Sequence, residues 1–254
     1  MLLVFDIGNT STSMGVFDND VLVETWKITS DKKRSSDEYG IIIKYMLHHD
    51  KLSDKITNCV ISSVVPPLTE TFKTAVEDYL KSEVMVLSVK LNTGLTYDVK
   101  NPKEIGTDRI ANALAAYKLY KKNCVVVDFG TATTFDIVSD KGVFLGGVIT
   151  PGIGIQSEAL SSRTSKLPKV KVEAPKSIIG KDTIDNILSG LVYGHASMID
   201  GMIESVEKEL GSKVMTIATG GYSKILTDHL KRPFDVESPN LTLEGLRMIF
   251  ELNK

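Results

Sequence analysis

One pattern occurs twice in this chain: a short apolar run ends in aspartate, a glycine-bearing turn with threonine follows, and a second extended run begins. The first copy is Asp6-Ile7-Gly8-Asn9-Thr10, continuing through Ser11, Thr12 and Ser13. The second is Asp128-Phe129-Gly130-Thr131-Ala132-Thr133-Thr134. Similar elements follow each copy. In the first half, apolar runs and turn residues predict strands over 2–6, 12–17 and 21–28, a helix over 36–47, a strand over 56–65, a helix over 67–80 and a short strand over 84–86. A helix over 105–120 closes that half. In the second, strands are expected over 124–128, 133–138 and 143–149, then helices over 151–160 and 182–210. A strand over 214–219 and helices over 223–230 and 243–253 complete it. A repeat at this level predicts an α/β protein with two similar domains, 1–118 and 119–254. A single α/β domain with two chance similarities is the competing reading.

The bulk numbers narrow the class. With 254 residues, 42% of them hydrophobic, the chain can build a substantial core. Its 30 basic and 32 acidic side chains balance to a net charge of -2, and no long basic run occurs. Nucleic acid is therefore not the expected partner. No apolar run reaches the roughly 18 residues of a membrane helix, and residues 1–7 lack the basic start and cleavage site of a signal peptide. A cytoplasmic protein without membrane contact is the expectation. Cys59 and Cys124 each sit among apolar residues and read as buried thiols, and no Cys–His cluster suggests zinc.

The repeated element suits phosphate. Glycine lets the backbone approach a phosphoryl group closely, and exposed N–H groups and hydroxyls then donate to its oxygens. Carboxylates would repel phosphate, so Asp6 and Asp128 make sense as ligands of a cation or of its waters. The alternative is a pair of hairpin turns with no ligand. No Walker A pattern is present, and Gly180-Lys181-Asp182-Thr183 lacks the upstream glycine of a phosphate loop. Thr219-Gly220-Gly221 follows a predicted strand and either lets a flat adenosine lie close or makes a tight turn. Gly106-Thr107-Asp108-Arg109 places a carboxylate beside a cation at a helix start. Asp108 could accept a hydroxyl proton and Arg109 could pair with a substrate carboxylate. The bland version is a Thr107 N-cap with a surface Asp–Arg pair. The four histidines lie away from the glycine elements in sequence. His195, in an apolar helix, is expected to have no catalytic part, and Trp26 reads as core.

These motifs resemble the acetate and sugar kinase, heat-shock protein 70 and actin superfamily, and more closely the type III pantothenate kinases. The resemblance covers essentially the whole chain. It implies two ribonuclease H-like (actin-like) domains of mixed sheets flanked by helices, with ATP in the cleft between them. It also implies ATP-dependent phosphorylation of pantothenate, the first step of coenzyme A biosynthesis. Residues 6–13, that is Asp6, Ile7, Gly8, Asn9, Thr10, Ser11, Thr12 and Ser13, then match the first nucleotide loop. Thr131 contacts ATP, and Gly220 and Gly221 lie on the adenosine side. Gly106, Thr107, Asp108 and Arg109 match the pantothenate segment, with Asp108 as proton acceptor. Tyr97 and Thr183 join them, Thr183 from a partner subunit of a homodimer. The resemblance further implies that Asp6 would serve the magnesium of Mg-ATP and that Asp128 would bind potassium or ammonium. Two other readings of the same fold are a phosphatase or ATP hydrolase, which would hold water in place of an acceptor, and a nucleotide-dependent regulatory protein.

Overall fold

Residues 2–7 form the most buried strand of the first half, because Leu3, Val4, Phe5 and Ile7 leave no polar face to turn outward. In the computed structural model, which describes all 254 residues, this strand is β1 (Leu2–Ile7). It is followed by β2 (Ser11–Asp18) and β3 (Val21–Thr29), an antiparallel meander. Helix α1 (Ser36–His49) starts in a capping box, with Ser35 and Glu38 satisfying each other's backbone N–H groups. Then come β4 (Asn58–Ser63) and α2 (Pro66–Leu80), whose prolines occupy first-turn positions where a missing N–H is harmless. β5 (Glu83–Val86), the short β6 (Thr96–Tyr97) and α3 (Thr107–Tyr120) follow. β4 runs parallel to β1 and β5 parallel to β4, giving the order β3-β2-β1-β4-β5. Phe5, Tyr39, Phe72 and Ile43 fill the space between this sheet and its helices.

The second half repeats the design with β7 (Cys124–Phe129), β8 (Ala132–Val138) and β9 (Val143–Pro151) as the meander. Helices α4 (Ile153–Arg163) and α5 (Thr183–Leu210), strand β10 (Met215–Thr219), helix α6 (Ser223–Thr227) and strand β11 (Val236–Glu237) follow. β10 is parallel to β7 and β11 to β10, so the run β9-β8-β7-β10-β11 copies the first sheet. The copy extends to an irregularity: β2 slips register against β3 between Val16 and Phe17, and β8 slips against β9 between Ile137 and Val138. Phe129, Phe135, Leu191, Val192 and Ile199 lie in this core. Both cysteines are buried free thiols.

The last helix, α7 (Leu241–Asn253), returns to the first half. The chain divides into Met1–Ala115 with Leu241–Lys254, and Ala116–Asn240. The sequence division had grouped α7 with the second domain. Its leucine stripe instead packs on β1, β2 and β4, and Gly245 lies so close to the Ala111 backbone that no Cβ fits. Leu241, Leu243, Leu246 and Ile249 are buried by this docking.

Candidate active site

The two aspartates occupy matching register positions. Asp6 lies opposite Ser13 of β2 on one side and Ser62 of β4 on the other. Asp128 lies opposite Thr134 of β8 and Thr219 of β10. Each therefore sits near the carboxyl end of a strand, flanked by hydroxyl residues, where open α/β sheets place their ligand sites.

In the first unit a directed set of hydrogen bonds joins Asp6 to the start of α3. Ser62 Oγ donates to Asp6 Oδ1 at 3.3 Å. Ser62 Oγ also lies 2.9 Å from Thr107 Oγ1, and the single Thr107 proton is shared between Ser62 Oγ and the Ser63 carbonyl at 3.3 Å. Thr107 Oγ1 in turn accepts from the Ser63 N–H at 3.1 Å. The Thr107 hydroxyl is thus a crosslink to β4. It is not an N-cap, because it bonds nothing in its own helix, and the Ile110 N–H goes to the Gly106 carbonyl. Asp108 is partly buried, which removes the reading of a surface residue. Its Oδ1 accepts from the Arg109 N–H at 2.8 Å. Burial raises the Asp108 carboxyl above the usual aspartate range, opposed by that hydrogen bond and by the Arg109 charge. A carboxyl raised in this way is a stronger base once ionised. The Tyr97 hydroxyl is held by Thr93 at 2.6 Å.

The first glycine turn is closed by Gly8 N–H to Ser11 O at 3.1 Å, and the Ser30 N–H reaches Thr10 O at 3.1 Å. Gly8, Asn9 and Thr10 stand at the end of β1, with Asn9 and Thr10 exposed, and Ser11 and Ser13 are partly exposed. Ile7 is wholly in the core, so only its backbone remains for a ligand. Thr12 is equally buried, its hydroxyl 2.9 Å from Ser30 Oγ, so it braces the loop from behind.

In the second unit Gly220 has φ +91, and a Cβ there would stand 2.5 Å from Asp128 Oδ1 and 2.6 Å from the Phe129 nitrogen. Only glycine allows β10 to end in contact with the Asp128 carboxylate. Ser223 Oγ then closes the turn on Gly220 O at 3.0 Å, and Gly221 beside it is exposed. The Gly152 N–H donates to Thr131 O at 3.2 Å. Thr183 is exposed at the first position of α5, which is capped by Asp182 accepting from the Asp185 N–H at 2.8 Å. One partly exposed carboxylate in each unit, beside hydroxyls and exposed turn residues, suits hard cations that keep phosphate and water ligands.

The structure thus gathers Asp6, Ser62, Gly106, Thr107, Asp108 and Arg109 in the first unit, and Asp128, Gly130, Thr131, Gly152 and Gly220 in the second. Ser62 was missed by sequence reasoning. Its one signal was a serine pair ending an apolar strand, which also fits an ordinary strand end. Gln156 and His195 were missed as neighbours of the second loop, since sequence separation conceals them.

Comparison with known proteins gives the family. The type III pantothenate kinase family matches residues 2–205. A type III pantothenate kinase from Syntrophus aciditrophicus is 44% identical over 254 residues, covering 100% of both chains. Another, from Dehalococcoides mccartyi, is 38% identical over 254 residues, covering 100% of this chain and 98% of its own. Among solved structures, a conserved protein from Campylobacter jejuni described as a Baf family transcriptional activator superposes with a TM-score of 0.60. It is 22% identical and covers 98% of this chain and 97% of its own, a likeness of fold. By full-length identity and family match, this chain belongs to the type III pantothenate kinases.

Proposed function

We propose that the protein transfers the γ-phosphoryl group of ATP to the primary hydroxyl of pantothenate, giving 4'-phosphopantothenate and ADP, the first step of coenzyme A biosynthesis. The observation that carries this reading is the partly buried Asp108, raised by burial and placed at the start of α3 beside Thr107, which meets Ser62 of the Ser62–Asp6 pair. Asp108 orients the acceptor hydroxyl and takes its proton as the oxygen attacks the γ-phosphorus in line and the bond to ADP breaks. Arg109 pairs with the pantothenate carboxylate. Gly106, Thr107, Tyr97 and Thr183 complete the acceptor site in this reading. The loops at Gly8–Thr10 and Gly130–Thr131 donate N–H and hydroxyl groups to phosphate oxygens, and Gly220 and Gly221 face the adenosine.

Asp6 would hold the magnesium of Mg-ATP directly or through water, and Asp128 a potassium or ammonium ion; such cations neutralise phosphate charge. Exposed Ile149, Ile155, Ile178 and Ile179 support a homodimer, with Thr183 reaching the partner's acceptor site. The two free thiols fit a reducing cytoplasm. No helix is long and apolar enough to cross a membrane.

The test is ADP release by purified protein with Mg-ATP and potassium or ammonium, with and without pantothenate. Turnover that depends on pantothenate is expected. Turnover independent of it, or none at all, would sink the substrate assignment.

A further inference from the structure

The two glycine loops are braced at matching points, but by different residues. Ile7 pairs with Thr12 in the first hairpin as Phe129 pairs with Thr133 in the second. Ser11 pairs with Thr29 as Ala132 pairs with Pro151. Thr12 thus corresponds to Thr133, Thr10 to Thr131, and Ser30 to Gly152. In the first unit Ser30 holds both points by itself: its N–H donates to Thr10 O at 3.1 Å, and its Oγ meets Thr12 Oγ1 at 2.9 Å. In the second unit the N–H contact survives, from Gly152 to Thr131 O at 3.2 Å. The hydroxyl contact cannot, because the residue there is glycine. A Cβ would overlap the carbonyl oxygens of Gly130 and Thr131.

His195 of α5 fills the gap. Its Nε2 lies 2.9 Å from Thr133 Oγ1, with the two side chains 2% and 1% exposed. The Gln156 amide nitrogen donates to Pro151 O at 2.9 Å and lies 3.0 Å from His195 Nδ1. An amide nitrogen only donates, so Nδ1 is the acceptor and Nε2 carries the proton given to Thr133. Burial lowers the His195 pKa, which keeps the ring in this neutral form. One imidazole thereby ties α5 to the loop's own strand through Thr133. Through Gln156 it also ties α5 to the segment Pro151–Gly152 that holds Thr131.

We propose that His195 is a positioning residue for the second phosphate loop, substituting for the side chain that Gly152 lacks. It acts through Thr133 and Gln156 to fix the backbone of Gly130 and Thr131 where ATP phosphates are received. This rests on the reading of Thr131 as an ATP contact, and it does not depend on which acceptor is phosphorylated.

Equilibrium binding of Mg-ATP, measured by calorimetry without pantothenate, tests it. Thr133→Val keeps the shape and removes the hydroxyl, and is expected to weaken Kd about tenfold. Thr133→Ser restores the hydroxyl and should bind within about twofold of the parent. In turnover the loss should fall on KM for ATP, with KM for pantothenate unchanged. His195→Asn, which keeps an acceptor toward Gln156 but loses the donor to Thr133, should match Thr133→Val and carries the test if that variant fails to fold. A Kd for Thr133→Val or His195→Asn within about twofold of the parent would overturn the proposal, as would Thr133→Ser binding as weakly as Thr133→Val. Failure of the unaltered protein to bind Mg-ATP would overturn it together with the phosphate reading of the loop. ATP binding without pantothenate phosphorylation would remove only the acceptor assignment and leave these Kd comparisons to decide.

Discussion

Replacing Gly220 by alanine isolates what the contact between β10 and Asp128 requires. At φ +91 an L side chain is strained by about 1–2 kcal/mol. The added Cβ would also stand 2.5 Å from Asp128 Oδ1 and 2.6–2.7 Å from the Phe129 backbone. Relief requires moving a strand end, and overpacking of this kind costs about 1–3 kcal/mol. The sum, about 2–5 kcal/mol, corresponds to a fall in Tm of roughly 5–15 °C for a chain of this size. Because the displaced group is the Asp128 carboxylate, KM for ATP and activation by potassium or ammonium should worsen together. Gly201→Ala makes the same chemical change at an exposed position of helix α5, where nothing lies within 4 Å of the new Cβ. It should stabilise by about 0.5–1 kcal/mol, raising Tm by a few degrees. Differential scanning calorimetry of the two variants decides the matter. If Gly220→Ala melts within about 1 °C of the parent, the geometric argument is refuted, whatever its kinetics.

Three further outcomes are expected. Asp108→Asn should lower kcat by about 10²–10⁴-fold with an unchanged melting curve, and near-normal turnover would remove the proton-acceptor role. In the parent, kcat/KM should fall as pH drops through the Asp108 pKa, with the acid limb above the ordinary aspartate position because burial raises that carboxyl. A limb at the ordinary value in a pH–rate profile would contradict this. Glu207 should contribute an acid-sensitive part of the stability. Burial alone would raise its carboxyl, but hydrogen bonds from Lys213 at 2.6 Å, Arg232 at 2.7 Å and the Val214 N–H outweigh that and hold it at about 2. A depressed folded-state pKa means the contribution is whole above the unfolded value of 4.5 and is lost as pH falls from there toward about 2. Urea midpoints of Glu207→Gln across that window should vary less steeply than those of the parent, and parallel curves would show the network to be inert.

Long periodic segments were legible from the residues alone. The strands ending at Asp6 and Asp128 announced themselves as apolar runs cut short by an acid. α5 emerged almost whole from the spacing of Ile187, Leu191, Ala196, Ile199 and Ile203. The strands β6 and β11, two residues each, are too short to carry a period, and pairing with neighbours alone creates them. The docking of α7 was hidden because its stripe of Leu243, Leu246 and Ile249 says that it is buried, not against what. The aspartates and glycines of the candidate site stood out in the sequence because their chemistry is local. Ser62 and His195 did not, since Thr107 on α3 lies 45 residues from Ser62, and Thr133 on β8 lies 62 residues from His195. His195 in particular presents in sequence as a polar interruption in an apolar helix, a description that fits a satisfied buried side chain and a loop brace equally well.

The return of α7 to the first unit bears on how the chain is made. Strands β1 to β5 leave the ribosome early, yet the surface around Gly15 and Ala111 stays uncovered until α7 arrives, after the whole of Ala116–Asn240 has been synthesised. The later-made unit holds all its own segments first and can close before the earlier one does. Vectorial synthesis therefore leaves the half bearing Asp6 and Asp108 as the last to become complete. A nonsense codon just before Leu241 would spare every residue of the candidate site and still strip the cover from the sheet that positions Asp6.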